Sequence, residues 1–240
     1  MQAIILNSGK GSRLKELTTS NPKCLVALDS GNTLLSRQID RLAECGITDI
    51  IITTGYLEGK IKQYLQDKYP SMAIRFVYNE EYDTTNYIVS LDKLCSMVFP
   101  SDILLMHGDL LFSGEVLQSV MEAPKSTVVV DSLAPIPEKD FKARIGDDGL
   151  VKQIGIDVFG DGCLACQPLY KLLGTDWAAW QGAIHSFCLG GQTNVYAENA
   201  LNSILGRVQL GTYDAKGLLC MEVDNQEDLA RARGLLGFKV

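Results

Sequence analysis

Apolar runs of strand length alternate with amphipathic stretches of helix length through the first half of the chain. Positions 3–6 carry Ala3, Ile4, Ile5 and Leu6 in an unbroken row, so 2–6 has the pattern of a strand buried on both faces. Residues 49–53, 73–78, 102–106 and 126–130 repeat that pattern, with a short extended piece at 25–28. Between the runs, 33–45 places Leu34, Leu35, Ile39 and Leu42 on one helical face, and Gly46 stands where a helix-ending glycine belongs. Residues 57–69 turn Ile61, Tyr64 and Leu65 to one side, Asn86 is placed to cap a helix running to Met97, and another helix falls near 115–120. Alternation of this kind predicts βαβ units and therefore an α/β fold: a Rossmann-like, mostly parallel twisted sheet flanked by helices. Ligands of such sheets bind beyond the carboxyl ends of the strands, which singles out the loops after Leu6, Tyr78 and Met106.

After Val130 the pattern changes. Pro135 and Pro137 interrupt it, and 141–145 and 150–156, joined by Gly146-Asp147-Asp148-Gly149, read as a hairpin. Residues 168–173, continuing towards Trp180, and 194–205 read as helices, 208–213 and 218–223 as strands, and 226–236 as a closing helix. The whole chain, 1–240, then forms a single domain with a core (1–132), a small hairpin-and-helix lobe over the open end of the sheet (133–207) and a return to the core (208–240).

Composition narrows the partners. The chain has 240 residues, 46% hydrophobic and 21% charged, enough to bury a large core without metals or disulfides. A net charge of −7 and the lack of a basic stripe exclude nucleic acid as the main partner, so any phosphate site must be a local positive pocket in a negative surface. The first apolar run stops at Leu6, too short for a signal peptide or a membrane span, which predicts no membrane association. Seven scattered cysteines, an odd number, fit free thiols in a reducing cytoplasm, and Cys163-Leu-Ala-Cys166 lacks the second ligand pair that structural zinc needs.

The strongest chemical signal is the turn Asn7-Ser8-Gly9-Lys10-Gly11-Ser12-Arg13-Leu14 after the first strand, followed by Pro22-Lys23. The spacing Gly-x4-Gly-Lys-Ser/Thr of a P-loop is absent, and Leu14 stands where a dinucleotide fingerprint needs its third glycine. What remains is a glycine turn whose successive N–H groups form an anion nest, with a permanently charged guanidinium at Arg13. Lys23 follows a proline that holds the chain extended and precedes the apolar Cys24-Leu25-Val26, so its stem is anchored. A lysine held beside a reacting phosphorus stabilises the charge that develops in transfer.

This combination resembles the nucleotidyltransferases that make activated sugars and activated small phosphorylated alcohols, whose signature is Gly-x-Gly-(Ser/Thr)-Arg-(Leu/Met) and then Pro-Lys. Within that family the stretch Asn79-Glu80-Glu81-Tyr82-Asp83-Thr84-Thr85-Asn86-Tyr87-Ile88-Val89-Ser90-Leu91 is similar to bacterial CTP:phosphocholine and phosphonate cytidylyltransferases. The resemblance implies a nucleotide-diphospho-sugar transferase-like fold, with 1–132 as nucleotide-binding core and 133–207 as acceptor lobe. It implies CTP as donor, held by Leu6, Asn7, Ser8, Gly9, Gly11, Ser12, Arg13 and Lys23 and, around the base or ribose, Asn86 and Ser90. It implies Lys23, Arg13 and Asp109 as catalytic groups, and Mg²⁺ on Asp109 and Asp224, each just past a strand end. A sugar-1-phosphate uridylyl- or thymidylyltransferase is the neighbouring reading. A non-catalytic nucleotide-binding subunit should lack one of these groups, and none is missing.

The acceptor is expected to be a small phosphorylated or phosphonate molecule. Trp177 and Trp180, three apart on a helix, offer aromatic faces to an ammonium group, although such a pair is more often core. Lys142 and Arg144 suit a carboxylate or phosphonate, and Glu198 and Asn199 an ammonium, so Arg144, Lys142, Trp180, Glu198 and Asn199 are the expected acceptor contacts. His107 reads as structural, because an ionised phosphate needs no base. A homodimer is an open possibility on this reading.

Overall fold

The computed structural model describes residues 1–95, 97 and 101–237. In chain order they form β1 (Gln2–Asn7), α1 (Glu16–Thr19), α2 (Leu34–Glu44), β2 (Ile50–Thr54), α3 (Glu58–Lys68), β3 (Ile74–Tyr78), α4 (Tyr87–Asp92), β4 (Ile103–His107), β5 (Leu110–Phe112), α5 (Gly114–Glu122) and β6 (Thr127–Asp131). There follow β7 (Lys142–Ile145), β8 (Val151–Gly155), β9 (Cys163–Leu172), α6 (Gly174–Leu189), α7 (Ala197–Asn202), β10 (Gly211–Asp214), β11 (Cys220–Glu222) and α8 (Gln226–Leu235).

The main sheet runs β10-β6-β9-β4-β1-β2-β3, with β7 joined to β9 and β8 to β7. Strands β4, β1, β2 and β3 are mutually parallel, as are β10 and β6, while β9 runs antiparallel to both neighbours. The expected α/β architecture is therefore present. Helix caps explain several boundaries. Thr33 and Ser36 form a reciprocal capping box at α2, Asn86 caps α4, and Asn225 with Asp228 caps α8. Gly46 ends the α2 turn with φ of 77°, in the left-handed region.

Four stretches differ from the sequence expectation: the helix expected to run from Asn86 to Met97 ends at Asp92, the extended piece expected at 25–28 begins as a single helical turn, Lys23–Leu25, and two strands are new. Residues 168–173 are not helical; most of them continue β9, in the middle of the sheet. Leu169, Tyr170 and Leu172 are all fully buried, so the strand is apolar on both faces and shows no period of two. Pro168 lacks an N–H, and the register against β6 jumps from Val128–Tyr170 to Val129–Gln167, leaving Pro168 and Leu169 in a bulge. Strand β5 was not anticipated; it lies outside the main sheet and pairs antiparallel with β11.

The sheet buries two apolar layers. One packs α4, α6 and α7 through Ile88, Leu91, Trp177, Trp180, Ile184 and Leu201. The other packs α2, α3 and α5 through Leu35, Ile39, Leu42, Ile61, Val116 and Val120. Each such aliphatic side chain contributes about 1.5–3 kcal/mol by leaving water. Among the described residues no helix is long and apolar enough to cross a membrane.

Candidate active site

The site grows from the carboxyl end of β1. The chain turns at Gly11, whose φ of 62° is left-handed, and a Cβ there would stand 2.6 Å from the Lys23 Cβ. Glycine is thus required twice over, for the turn and for the lysine stem against it. Arg13 follows on a single-turn helix, Ser12–Leu14, anchored by the buried Leu14. Pro22 is extended at φ −59° and ψ 145°, and a second single turn, Lys23–Leu25, sinks Cys24 and Leu25 into the core. The lysine stem is therefore fixed at its base.

Asp109 and Asp224 meet through the β5–β11 ribbon. Leu110 pairs with Glu222, and the Val223 N–H donates to the Asp109 carbonyl at 3.0 Å, so the two aspartates leave adjacent strand ends. Gln38 Nε2 donates to the carbonyls of His107 and Leu110, both at 2.8 Å, tying the Asp109 loop to α2. Lys23 Nζ bridges the pair, 2.5 Å from Asp109 Oδ2 and 2.5 Å from Asp224 Oδ1. Arg13 extends the array with a 2.6 Å contact to Asp224 Oδ2. Burial opposes charge on Lys23, but the two carboxylates outweigh it and raise its pKa. Burial likewise works against the Asp109 carboxylate, and Lys23 and His107 more than compensate, so its pKa is lowered.

The donor set fits a divalent cation. Asp109 Oδ1 is buried and has no hydrogen-bond partner, an acceptor left over beside the Lys23 bridge. Ligand atoms of His107, Asp109 and Glu222 also lie within 4.8 Å of one another. Hard oxygen donors such as these carboxylates suit Mg²⁺. His107 Nδ1 lies 3.2 Å from Glu222 Oε1; burial disfavours the imidazolium, yet the neighbouring carboxylates raise its pKa overall.

Beside the ion array opens a cleft of about 360 Å³, within the range of small-molecule sites. Leu6, Asn7, Ser8, Gly9, Gly11, Lys23, Asn86, Ser90 and Asp109 line it, and Ser12, Arg13 and Asp224 lie outside that lining. Under its floor runs a buried polar chain: Thr53 Oγ1 lies 3.1 Å from Ser8 Oγ, Ser90 Oγ 2.9 Å from Ser8 Oγ, and Asn79 Nδ2 3.1 Å from Ser90 Oγ. Gly108 admits no side chain without a shift, because a Cβ there would fall 2.7 Å from the Leu6 carbonyl oxygen as well as 1.7 Å from Asn7 Oδ1. Asn79, Tyr82, Thr85, Tyr87, His107 and Gly108 add to the walls, with Pro22, Cys24 and Asn194. Sequence reasoning flagged the loops after Tyr78 and Met106 but did not choose these side chains.

The five expected acceptor residues are not brought together. Trp180 is core: it is fully buried, packs edge to face on Tyr170 and Trp177, and its Nε1 donates to the Ala197 carbonyl at 2.9 Å. Lys142 is buried with its ammonium on backbone carbonyls, Arg144 is exposed and bonded to Gln153, and Asn199 is exposed. Glu198 lies behind the cleft wall, buried and accepting from the hydroxyls of Tyr87, a wall residue, and Tyr170. An aromatic group adjoins it: Tyr87 lies 4.9 Å from His107 and 6.0 Å from Tyr196, and Phe141 lies 5.1 Å from Tyr196.

Residues 3–148 match the MobA-like NTP transferase domain. The chain is 30% identical over 229 residues to 2-aminoethylphosphonate cytidylyltransferase of Lancefieldella rimae, covering 95% of this chain and 90% of that protein. It is 43% identical over 124 residues to choline-phosphate cytidylyltransferase of Streptococcus pneumoniae, covering 50% of this chain and 51% of that one. The alignments span only 24% and 52% of the length of two further curated relatives. The structure superposes on the CTP:phosphocholine cytidylyltransferase LicC of S. pneumoniae with a TM-score of 0.76 at 23% identity, covering 98% of each chain. That likeness establishes the nucleotidyltransferase fold around a glycine turn, a buried lysine and two convergent aspartates, and with the domain match it follows that the chain belongs to the MobA-like NTP transferase family of nucleotidyltransferases.

Proposed function

We propose that this protein is a cytidylyltransferase that moves CMP from CTP to a small phosphorylated or phosphonate acceptor and releases pyrophosphate. The observation that carries this reading is Lys23, held between Asp109 and Asp224 at the edge of the glycine-turn cleft. The turn from Ser8 to Gly11 offers backbone N–H groups to a triphosphate, and Asn86 and Ser90 wall the base and ribose. Arg13 neutralises the leaving pyrophosphate. Lys23 draws the two anions, donor and acceptor, into contact against a repulsion of about 4 kcal/mol per charge pair at 4 Å and moderate effective dielectric. Asp109 and Asp224 would hold Mg²⁺, which would supply Lewis-acid stabilisation of the charge that develops at the α-phosphorus.

For the acceptor, the support shifts from Lys142 and Arg144 to Tyr87, Phe141 and Tyr196 with Glu198. Ring faces suit an ammonium group, and the buried Glu198 behind Tyr87 keeps the local field negative, so aminoalkyl phosphonates and phosphocholine are favoured over sugar phosphates. The seven unpaired cysteines suit a reducing compartment such as the cytoplasm. The test is pyrophosphate release with each of four nucleoside triphosphates against phosphocholine, phosphoethanolamine, aminoethylphosphonate, phosphorylated amino acids and sugar-1-phosphates. CTP with an amine-bearing acceptor should give the largest kcat/KM. Preference for UTP or dTTP with a sugar-1-phosphate would replace the reading with its neighbour.

A further inference from the structure

A buried lysine outside the cleft ties down the segment that carries the acceptor side of the site. Lys142 has no exposed surface. Its Nζ donates to the carbonyls of Pro137 at 2.9 Å and Glu138 at 3.3 Å and sits 4.1 Å from the centre of the Phe159 ring. Two carbonyls and one ring face satisfy the ammonium without a carboxylate, which a buried charge requires if it is not to be costly.

The segment it holds has little else. Residues 135–140 are largely exposed, and among the described residues their hydrogen bonds are the two that Lys142 donates. Upstream, Asp131 Oδ1 accepts from the Leu133 and Ala134 N–H groups; downstream, the Phe141 carbonyl accepts from the Cys166 N–H at 3.0 Å. The far end of this strap reaches the site. Phe141 packs on His107 and Tyr196.

Resting on the cytidylyltransferase reading for its ligand, we infer that Lys142 is a positioning residue: it pegs the 135–140 strap, and so sets Phe141 at the acceptor side of the cleft. It touches no reacting atom. Loosening the peg therefore weakens acceptor binding and leaves the nucleotide half intact.

The test is Lys142→Met, which keeps the buried stem and removes the donors. Lys139 lies within the strap, so trypsin reports its freedom directly: cleavage after Lys139 in the native protein should be about tenfold faster or more in the variant. KM for the acceptor should rise about five- to tenfold, with kcat and KM for CTP changed less than about twofold. A residue that only stabilised the fold would lower the active fraction, and so kcat, at unchanged KM. Phe159→Ala removes the ring face from an exposed position and should shift both readouts the same way by a smaller factor; it serves alone if Lys142→Met does not fold. Equal cleavage rates, or a loss confined to kcat, would overturn the inference. If the wild-type protein turns over no acceptor, the functional reading falls, while the tryptic rates still decide the peg.

Discussion

Removing Lys23 should strengthen metal binding by the free protein while abolishing transfer. The perturbation is Lys23→Met. In the structure Nζ makes two charge-assisted hydrogen bonds of 2.5 Å, and the lysine side chain is 13% exposed. Hydrogen bonds to charged groups are worth about 1.5–3 kcal/mol each, so a cation entering between the aspartates must displace contacts worth on the order of 3–6 kcal/mol. Rehydration of the released ammonium returns part of that; taking half leaves roughly 1.5–3 kcal/mol, or about 10- to 150-fold in Kd. Mn²⁺ titrated into nucleotide-free protein, by calorimetry or by loss of its free electron-spin signal, reads the change. Wild type should bind weakly until CTP draws Lys23 onto its phosphates, and the variant should bind tightly without nucleotide. If the variant binds Mn²⁺ no better than wild type, Lys23 does not guard the two aspartates, and the metal assignment of Asp109 and Asp224 loses its footing.

Three further outcomes are expected. Asp109→Asn should fold, with a melting temperature near that of wild type, and lose pyrophosphate release by about 10³-fold or more; turnover within a few-fold would remove Asp109 from the chemistry. Gly11→Ala places a methyl against the Lys23 stem in a left-handed turn, so transfer should fall at least about tenfold while the circular dichroism spectrum is unchanged; full activity would show that the turn and the lysine move independently. Burial, with Asp92 nearby, pushes the Cys188 thiol up to about 11, so its labelling by iodoacetamide should climb about tenfold per pH unit from 7 to 10; a plateau below pH 9, followed by mass spectrometry of the labelled peptide, would contradict that environment.

What the sequence reveals here depends on how local the determinant is. The β1 strand, the glycine turn, Arg13 and Lys23 fall within the first 23 residues, and the Asn86 cap is equally local, its side chain accepting from the N–H of the next residue, Tyr87. Strand β9 escapes because burial on both faces erases the period of two, and its leucines and tyrosine satisfy a helical spacing equally well. Strand β5 is three residues long and exists only because β11 pairs with it. Lys142 and Trp180 lie away from the cleft for a reason the sequence does not show. A lysine is taken as exposed unless shown otherwise, and only the fold reveals that Lys142 points its ammonium at carbonyls. Trp180 was open to either reading until Tyr170 and Trp177 closed around it. Tyr87 and Glu198, 111 residues apart, become partners only in three dimensions.

The β5–β11 ribbon also makes the site a report on completeness. Three residue pairs align Asp109 with Asp224, and Lys23 then contacts an aspartate 201 positions further along the chain. Closing a loop of that length is entropically costly and slow compared with forming α2 or the β1–β2 pair. A chain that has folded its sheet but not yet seated this ribbon has the glycine turn, and thus a place for nucleotide, without the paired carboxylates beside Lys23. Such a chain can hold its donor but has no means to spend it. Regain of transfer activity after denaturation should therefore trail regain of helix and sheet.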